Sequence, residues 1–290
     1  MSRSGTGAGH RARTPPRMLE VQQVLELSPH MRRIRLGGRE LDGFPAGRDG
    51  AHIKVFLPRP GQAQPVLPEP GANGPVWPPP EQRPVTRTYS VRRYDPDTGL
   101  LDVDFVLHDD GIASAWARQA RPGDRMGIAG PGGPDPMLGQ ASFYLLAGDL
   151  SALPAIGALL EKLPSSAHGQ ALIQVPDSAD VQPLDHPEGV AVSWLHCRDP
   201  VLGGRRLAAW VERLEWPVAP CSAWVAGERS AVVAIRDHLR TVRGFDRRNL
   251  YAIPYWRAAL SEEAFHEERH RIMDELAADA PRQPDRGEHG

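Results

Sequence analysis

The chain has 290 residues, 40% of them hydrophobic and 24% charged, which is enough for two domains with cores of their own. Its formal net charge of −2 gives no whole-molecule field for a nucleic-acid backbone, and 2 cysteines are too few for a disulfide framework or for a zinc or iron–sulfur centre. The opening MSRSGTGAGHRARTPPR lacks the apolar core of a signal peptide and no apolar run reaches the length of a membrane span, so the expectation is a cytoplasmic protein with no nucleic-acid partner and no membrane insertion.

Residues 1–17 read as a disordered tail. From Met18 to Ala129 the apolar residues come in short runs, LEVQQVLEL, MRRIRL, HIKVFLP, TRTYSV, LLDVDFVLH and RMGIAG, separated by Gly, Pro and Asp. That pattern predicts a small antiparallel β barrel over residues 18–138. In the fifth run Leu101, Val103, Phe105 and Leu107 share one face, and Asp102, Asp104 and His108 the other. Residues 58–84 are so rich in Pro and Gly that neither strand nor helix is expected, and they read as a mobile insertion. In TRTYSV the alternation sets Arg87 and Tyr89 on one face and Thr88 and Ser90 on the other, a cation beside an aromatic plate. A half-exposed strand with a solvated arginine accounts for those four residues equally well.

After GPGGPDPML the period changes. Strand SFYLLAGD, helix SALPAIGALLEKL, strands ALIQVPD and VAVSWLH, helix RLAAWVERL, strand SAWVAGE and helix RSAVVAIRDHLRTV predict a parallel-sheet α/β domain over residues 139–258. In residues 259–290, Phe265, Ile272, Met273 and Leu276 form one stripe of a terminal helix ahead of a polar tail. HEERH at His266–His270 satisfies H-E-x-x-H, but its charge-dense surroundings offer little apolar cover for a metal, and no metal site is expected. GTGAGH near the start neither follows a strand nor opens a helix.

A barrel followed by a parallel α/β domain resembles the ferredoxin-reductase arrangement. The segments VLHDDGIASAWARQARPGDRMGIAGPGG, LLAGDLSALPAIGALLEKLP, AWVAGERSAVVAIRDHLR and YAIPYWR together resemble the siderophore-interacting protein family, the flavin-dependent ferric-siderophore reductases. The similarity runs from Met18 to Arg257 apart from the insertion. It implies FAD on the barrel, NADPH or NADH on the α/β domain as electron donor, a ferredoxin as an alternative donor, and a ferric siderophore as substrate.

Carried over by position, the resemblance gives Arg87 to phosphate, Tyr89 to the isoalloxazine and Ser90 to the ring nitrogen that takes hydride, so that Tyr89 and Ser90 are the catalytic candidates, with Thr88 beside them. It adds Asp104 and Val106 to the cofactor site, and His108, Gly111, Ala113, Ser114 and Trp116 to a flavin-binding turn and helix. A helix starting near Ile112 offers free N–H groups to a pyrophosphate. Trp116 reads equally as a core residue of an amphipathic helix. Asp149, Ser151 and Pro154 of GDLSALPA, Gly227 and Glu228 of AGE, and Trp256 fall to the nicotinamide side, although both turns also read as ordinary strand-to-helix chemistry. Leu150 stands where the family's turn is acidic. Arg198 suits a 2′-phosphate or plain solvent. Lys54 and Arg257 match the family's basic substrate positions, whereas Gly132 stands where the family carries Arg, which favours ferric chelates of lower negative charge. Two other readings stay open: a reductase component feeding a protein partner, and a flavin-binding redox sensor without turnover.

Overall fold

The alternation of apolar side chains decides which face of each N-terminal strand is buried. In the computed structural model, which describes residues 15–71, 74–109 and 111–258, that sheet contains β1 (Arg17–Ser28), β2 (Met31–Gly37), β3 (His52–Leu57), β4 (Val85–Ser90), β5 (Arg93–Asp95), β6 (Leu100–Val106) and β7 (Arg125–Gly132). GTGAGH, HEERH and the stripe of Phe265, Ile272, Met273 and Leu276 lie outside the described residues. The strands are antiparallel in the order β4-β3-β7-β1-β2-β6-β5. Ile53, Val55 and Leu57 are fully buried in the core, while His52 and Lys54 on the opposite face of β3 are half-buried. β1 begins at Arg17 rather than Met18 because Arg17 is already in register with Ile128 of β7.

The barrel closes where the chain passes from β4 into β5. The N–H of Val91 donates to the carbonyl of Ala51 on one side, and the N–H of Arg92 donates to that of Asp102 on the other. Short of this point β4 and β6 share no ladder, and the seam between them is bridged by side chains. On the outer face of β6, Asp102 and Asp104 are almost fully buried beneath arginines of β2. Arg35 grips Asp102 through two bonds of 2.8 and 2.9 Å, and Arg33 grips Asp104 through two of 2.7 and 2.9 Å.

The Pro-rich insertion is docked rather than loose. It holds one β-bridge, Glu69 to Val76, and its Leu67 packs over Gly127 of β7, where a Cβ would overlap the leucine. Trp77 meets Phe56 edge-on, and Gln64 accepts from Arg125 at 3.2 Å.

The second sheet holds β8 (Phe143–Asp149), β9 (His168–Val175), β10 (Val190–His196), β11 (Cys221–Glu228) and β12 (Leu250–Trp256), all parallel, in the order β10-β9-β8-β11-β12. The described residues also hold four α-helices, α1 (Ile112–Gln119), α2 (Leu153–Leu160), α3 (Pro200–Glu212) and α4 (Arg229–Thr241), and two short 3-10 turns. α3 starts at Pro200 rather than Arg206. Asp199 caps it by accepting from the N–H groups of Val201 and Leu202, with Pro200 in the first turn. Its two glycines, which argue against a helix on propensity, permit close packing: a Cβ on Gly203 would lie 2.9 Å from Gln174 of β9, and one on Gly204 2.9 Å from Ala231 of α4.

All 8 residues of α2 are buried, because the parallel sheet covers one side and the barrel the other. Arg92 pairs with Glu161 at its end, and Lys162 donates to the carbonyl of Gly47 at 2.7 Å. Farther along the same junction, fully buried Asp180 accepts from Ser28 Oγ at 2.8 Å and lies 2.8 Å from His30 Nδ1. No described helix is long and apolar enough to cross a membrane.

Candidate active site

The seam between β4 and β6 is aromatic. Tyr89 lies over Phe105 with ring centroids 4.2 Å apart, and Phe105 in turn lies 5.7 Å from Trp116 of α1. Tyr89 and Trp116 are both half-buried against the barrel core, so Trp116 serves core and seam together. Arg87 shares Tyr89's face and donates to the carbonyl of Thr86 at 2.9 Å. On the other face Lys54 Nζ donates to Thr88 Oγ1 at 2.8 Å, and the buried hydroxyl of Ser90 lies 3.3 Å from the phenol of Tyr255 on β12.

Beside the seam, α1 begins at Gly111 with no side-chain cap among the described residues and no acidic residue in its first turn. The start of the helix carries a partial positive charge. Ser114, fully buried, ties the preceding turn by accepting from His108 N at 2.8 Å and donating to His108 O at 2.7 Å. Gly111 is needed because a Cβ there would overlap the His108 ring. Ala113 lies on the buried face of the helix. Asp104 and Val106 do not join this group. They occupy the other face of β6 from Phe105, where Arg33 takes both oxygens of Asp104 and Val106 packs on the core of the second sheet. Burial raises the Asp104 carboxyl above its ordinary range, against the pull of Arg33.

In the second sheet the strand order reverses between β8 and β11, and open α/β sheets bind ligands at the carboxyl ends of such a pair. Asp149, at the end of β8, is buried. Its Oδ1 accepts from Ser151 N at 2.9 Å and Ser151 Oγ at 2.5 Å, and its Oδ2 from Glu228 N at 2.6 Å and Trp256 Nε1 at 2.9 Å. One carboxylate thus knots the ends of β8, β11 and β12, and burial raises its pKa despite those four donors. Gly227 has φ +131°, and a Cβ there would sit 2.5 Å from Asp149 Oδ2. Glu228 caps α4 by accepting from Ser230 and Ala231. Pro154 lies in the first turn of α2, and Leu150 is buried in the core. Arg198 is held by Asp177 at 3.0 Å, whose carboxyl is lowered to about 2 by the N–H of Ala179 and by Arg198.

At the expected substrate positions, Lys54 lies on the barrel face that carries Thr88 and Ser90, and Arg257 is exposed just past β12. The place of Gly132 is filled by a neighbour, since a Cβ there would lie 2.6 Å from Nε2 of His52. Phe105, His52 and Tyr255 escaped the reading of the sequence. The alternation of HIKVFLP sets His52 on Lys54's face and was a usable signal; Tyr255 depends on how the two sheets meet and left none.

Comparison with known proteins bears on the whole chain. A profile of the siderophore-interacting FAD-binding domain matches residues 20–135, and one of the siderophore-interacting protein matches residues 141–259. Ferric vibriobactin reductase ViuB of Vibrio cholerae is 42% identical over 91% of this chain and 97% of its own. The NADPH-dependent ferric-chelate reductase of Escherichia coli is 33% identical over 83% and 93%. Among solved structures, the siderophore-interacting protein SipS from Aeromonas hydrophila superposes with a TM-score of 0.79 at 41% identity, covering 90% of this chain and 98% of that one. The barrel joined to a five-stranded parallel sheet is the ferredoxin-reductase-like fold. On its sequence and over nearly its whole length, the chain belongs to the siderophore-interacting protein family.

Proposed function

We propose that this protein is an FAD-dependent NADPH oxidoreductase that reduces the iron of ferric siderophores and so releases Fe(II) for the cell. The observation that carries this reading is the set of three features on neighbouring elements: the aromatic seam at Tyr89, the start of α1 beside it, and the contact of Ser90 with Tyr255 at the carboxyl edge of the second sheet. The residues fit FAD. A half-buried aromatic face suits an isoalloxazine, an arginine fork and the N–H groups of a helix start suit a pyrophosphate, and Gly111 leaves the helix start unobstructed. When bound, FAD supplies the coupling between a two-electron nicotinamide donor and the one-electron reduction of iron.

In this reading Arg87 and the first turn of α1 hold the phosphates and Tyr89 carries the ring. Ser90, oriented by Tyr255, lies at the edge where the nicotinamide arrives. Ser151, Pro154, Gly227, Glu228 and Trp256 would hold the nicotinamide. Asp149, enclosed by its four donors, is a positioning residue there that fixes the turn without touching the coenzyme. Thr88 steadies Lys54, which with Arg257 raises the local concentration of an anionic chelate. Iron leaves after reduction because hard oxygen donors hold Fe(III) much better than Fe(II).

The names of the two reductases support NADPH as donor and an iron chelate as acceptor. The cytoplasm, where NADPH is available, is the compartment this activity requires. The test is anaerobic titration of the purified flavoprotein with NADPH, with NADH and with a reduced ferredoxin, followed by absorbance. Bleaching by NADPH at the lowest concentration supports the reading, and bleaching by ferredoxin alone would move the donor to a protein partner.

A further inference from the structure

The insertion at residues 58–84 takes little part in the barrel's ladder, yet it is pressed against one face of it. Leu67 covers Gly127 and Trp77 stands edge-on to Phe56, with ring centroids 6.0 Å apart. β3 stays in unbroken register with β4, so Phe56, Lys54 and His52 share that face. The strip therefore runs from the imidazole packed on Gly132, past the ammonium on Thr88, to the phenyl ring beneath Trp77. At about 3.3 Å per residue it is about 13 Å long.

A loop that needed only an anchor would bury its tryptophan. Here the indole covers Phe56 and is still 40% exposed, and the same insertion contributes Val66 at 38% and Val76 at 59% to the exposed apolar side chains of the described residues. Phe56 is the next residue after Lys54 on that face of β3, so the flank of Lys54 away from His52 is the aromatic one that Trp77 covers.

We propose that Leu67, Val76 and Trp77 of the insertion form an apolar wall of the ferric-chelate site, with Trp77 receiving an aromatic arm of the chelate while Lys54 meets its oxygen donors. This rests on the ferric-siderophore reading above and narrows the substrate to chelates of low net charge that carry an aromatic ring near the metal. A ring stacked on indole is stabilised beyond its area burial, while the two cations placed at the site, Lys54 and Arg257, compensate only part of the charge of a highly anionic complex.

The test uses gallium(III) complexes, which are not reduced under these conditions, so that binding is read without turnover. Tris(benzohydroxamato)gallium and tris(acetohydroxamato)gallium are both neutral, have the same donor atoms and differ in the phenyl ring. Calorimetry on the FAD-loaded protein, with each free hydroxamate as control, is expected to show the benzohydroxamate complex bound about tenfold tighter. Trp77→Ala should reduce that preference to about twofold and leave the acetohydroxamate affinity unchanged, and Trp77→Phe should restore most of it. If Trp77→Ala does not fold, Trp77→Leu against Trp77→Phe makes the same comparison. An equal preference in wild type and the Ala or Leu variant, or no preference in wild type, overturns the proposal. Failure of the parent reading shows separately: tris(acetohydroxamato)iron(III) then does not reoxidise the NADPH-reduced wild type.

Discussion

The hydroxyl of Ser90 and the phenol of Tyr255 lie 3.3 Å apart, one at the end of the fourth barrel strand and the other near the end of the last strand of the parallel sheet. Through that pair the flavin side of the site meets the nicotinamide side. Tyr255→Phe removes the phenolic partner and leaves the ring, so FAD content should be unchanged. Stopped-flow reduction by NADPH should slow by roughly three- to tenfold, the loss of one hydrogen bond of about 1 kcal/mol. Ser90→Ala should slow it at least as much. Equal rates in all three proteins would take Ser90 out of the hydride path.

Arg87→Ala should weaken FAD retention by about 1.5–3 kcal/mol, the worth of a charge-assisted contact to phosphate. Gly111→Ala should weaken it by another route, because the new methyl group displaces His108 and with it the turn tied by Ser114. The flavin-to-protein absorbance ratio after gel filtration reads both. Full flavin in both variants would move the phosphates elsewhere.

Asp149 is expected to act on stability before activity. Asp149→Ala leaves the indole N–H of Trp256 and the backbone N–H of Glu228 without their acceptor, a cost of roughly 2–4 kcal/mol that thermal unfolding would report. The pH dependence has a definite sign. Burial holds the folded carboxyl above its unfolded value, so the folded state binds more protons between the two. That contribution is complete below the unfolded pKa and is lost as pH climbs through the raised folded one. Asp149→Asn should lack this fall in stability with rising pH.

Asp104 gives the opposite lesson about a carboxylate near a cofactor. Arg33→Met strands it, buried on the outer face of the barrel, and should cost about 3–5 kcal/mol, and Arg33→Met with Asp104→Leu should recover most of that loss. FAD content should stay full in the double variant, because Asp104 faces away from Phe105 and the seam. Loss of flavin at unchanged stability would return Asp104 to the cofactor.

Much of this was legible in the chain because period-two runs and strand-to-helix alternation are local signals. The order of short runs gave the barrel strands except Arg93–Asp95, which is too short to show a period. Helix α3 was placed late because Gly203 and Gly204 lower helix propensity, and their value lies in contacts with Gln174 and Ala231 that only the fold creates. The insertion read as mobile because proline and glycine exclude regular structure, yet regular structure is not required for docking, and Leu67 over Gly127 suffices. Sequence position placed Asp104 and Asp149 near the ligands; the structure shows that their oxygens are occupied by the protein itself.

The central claim is that electrons pass from NADPH through this protein to chelated iron. Its most direct test is an anaerobic cuvette in which the flavoprotein is bleached with one equivalent of NADPH and then given a ferric hydroxamate chelate together with an Fe(II)-specific chromogenic chelator. The flavin absorbance should return and about two equivalents of Fe(II) should form for each two-electron reduced flavin. A flavin that stays bleached, with no Fe(II) above the protein-free control for hydroxamate and catecholate chelates alike, would contradict the account.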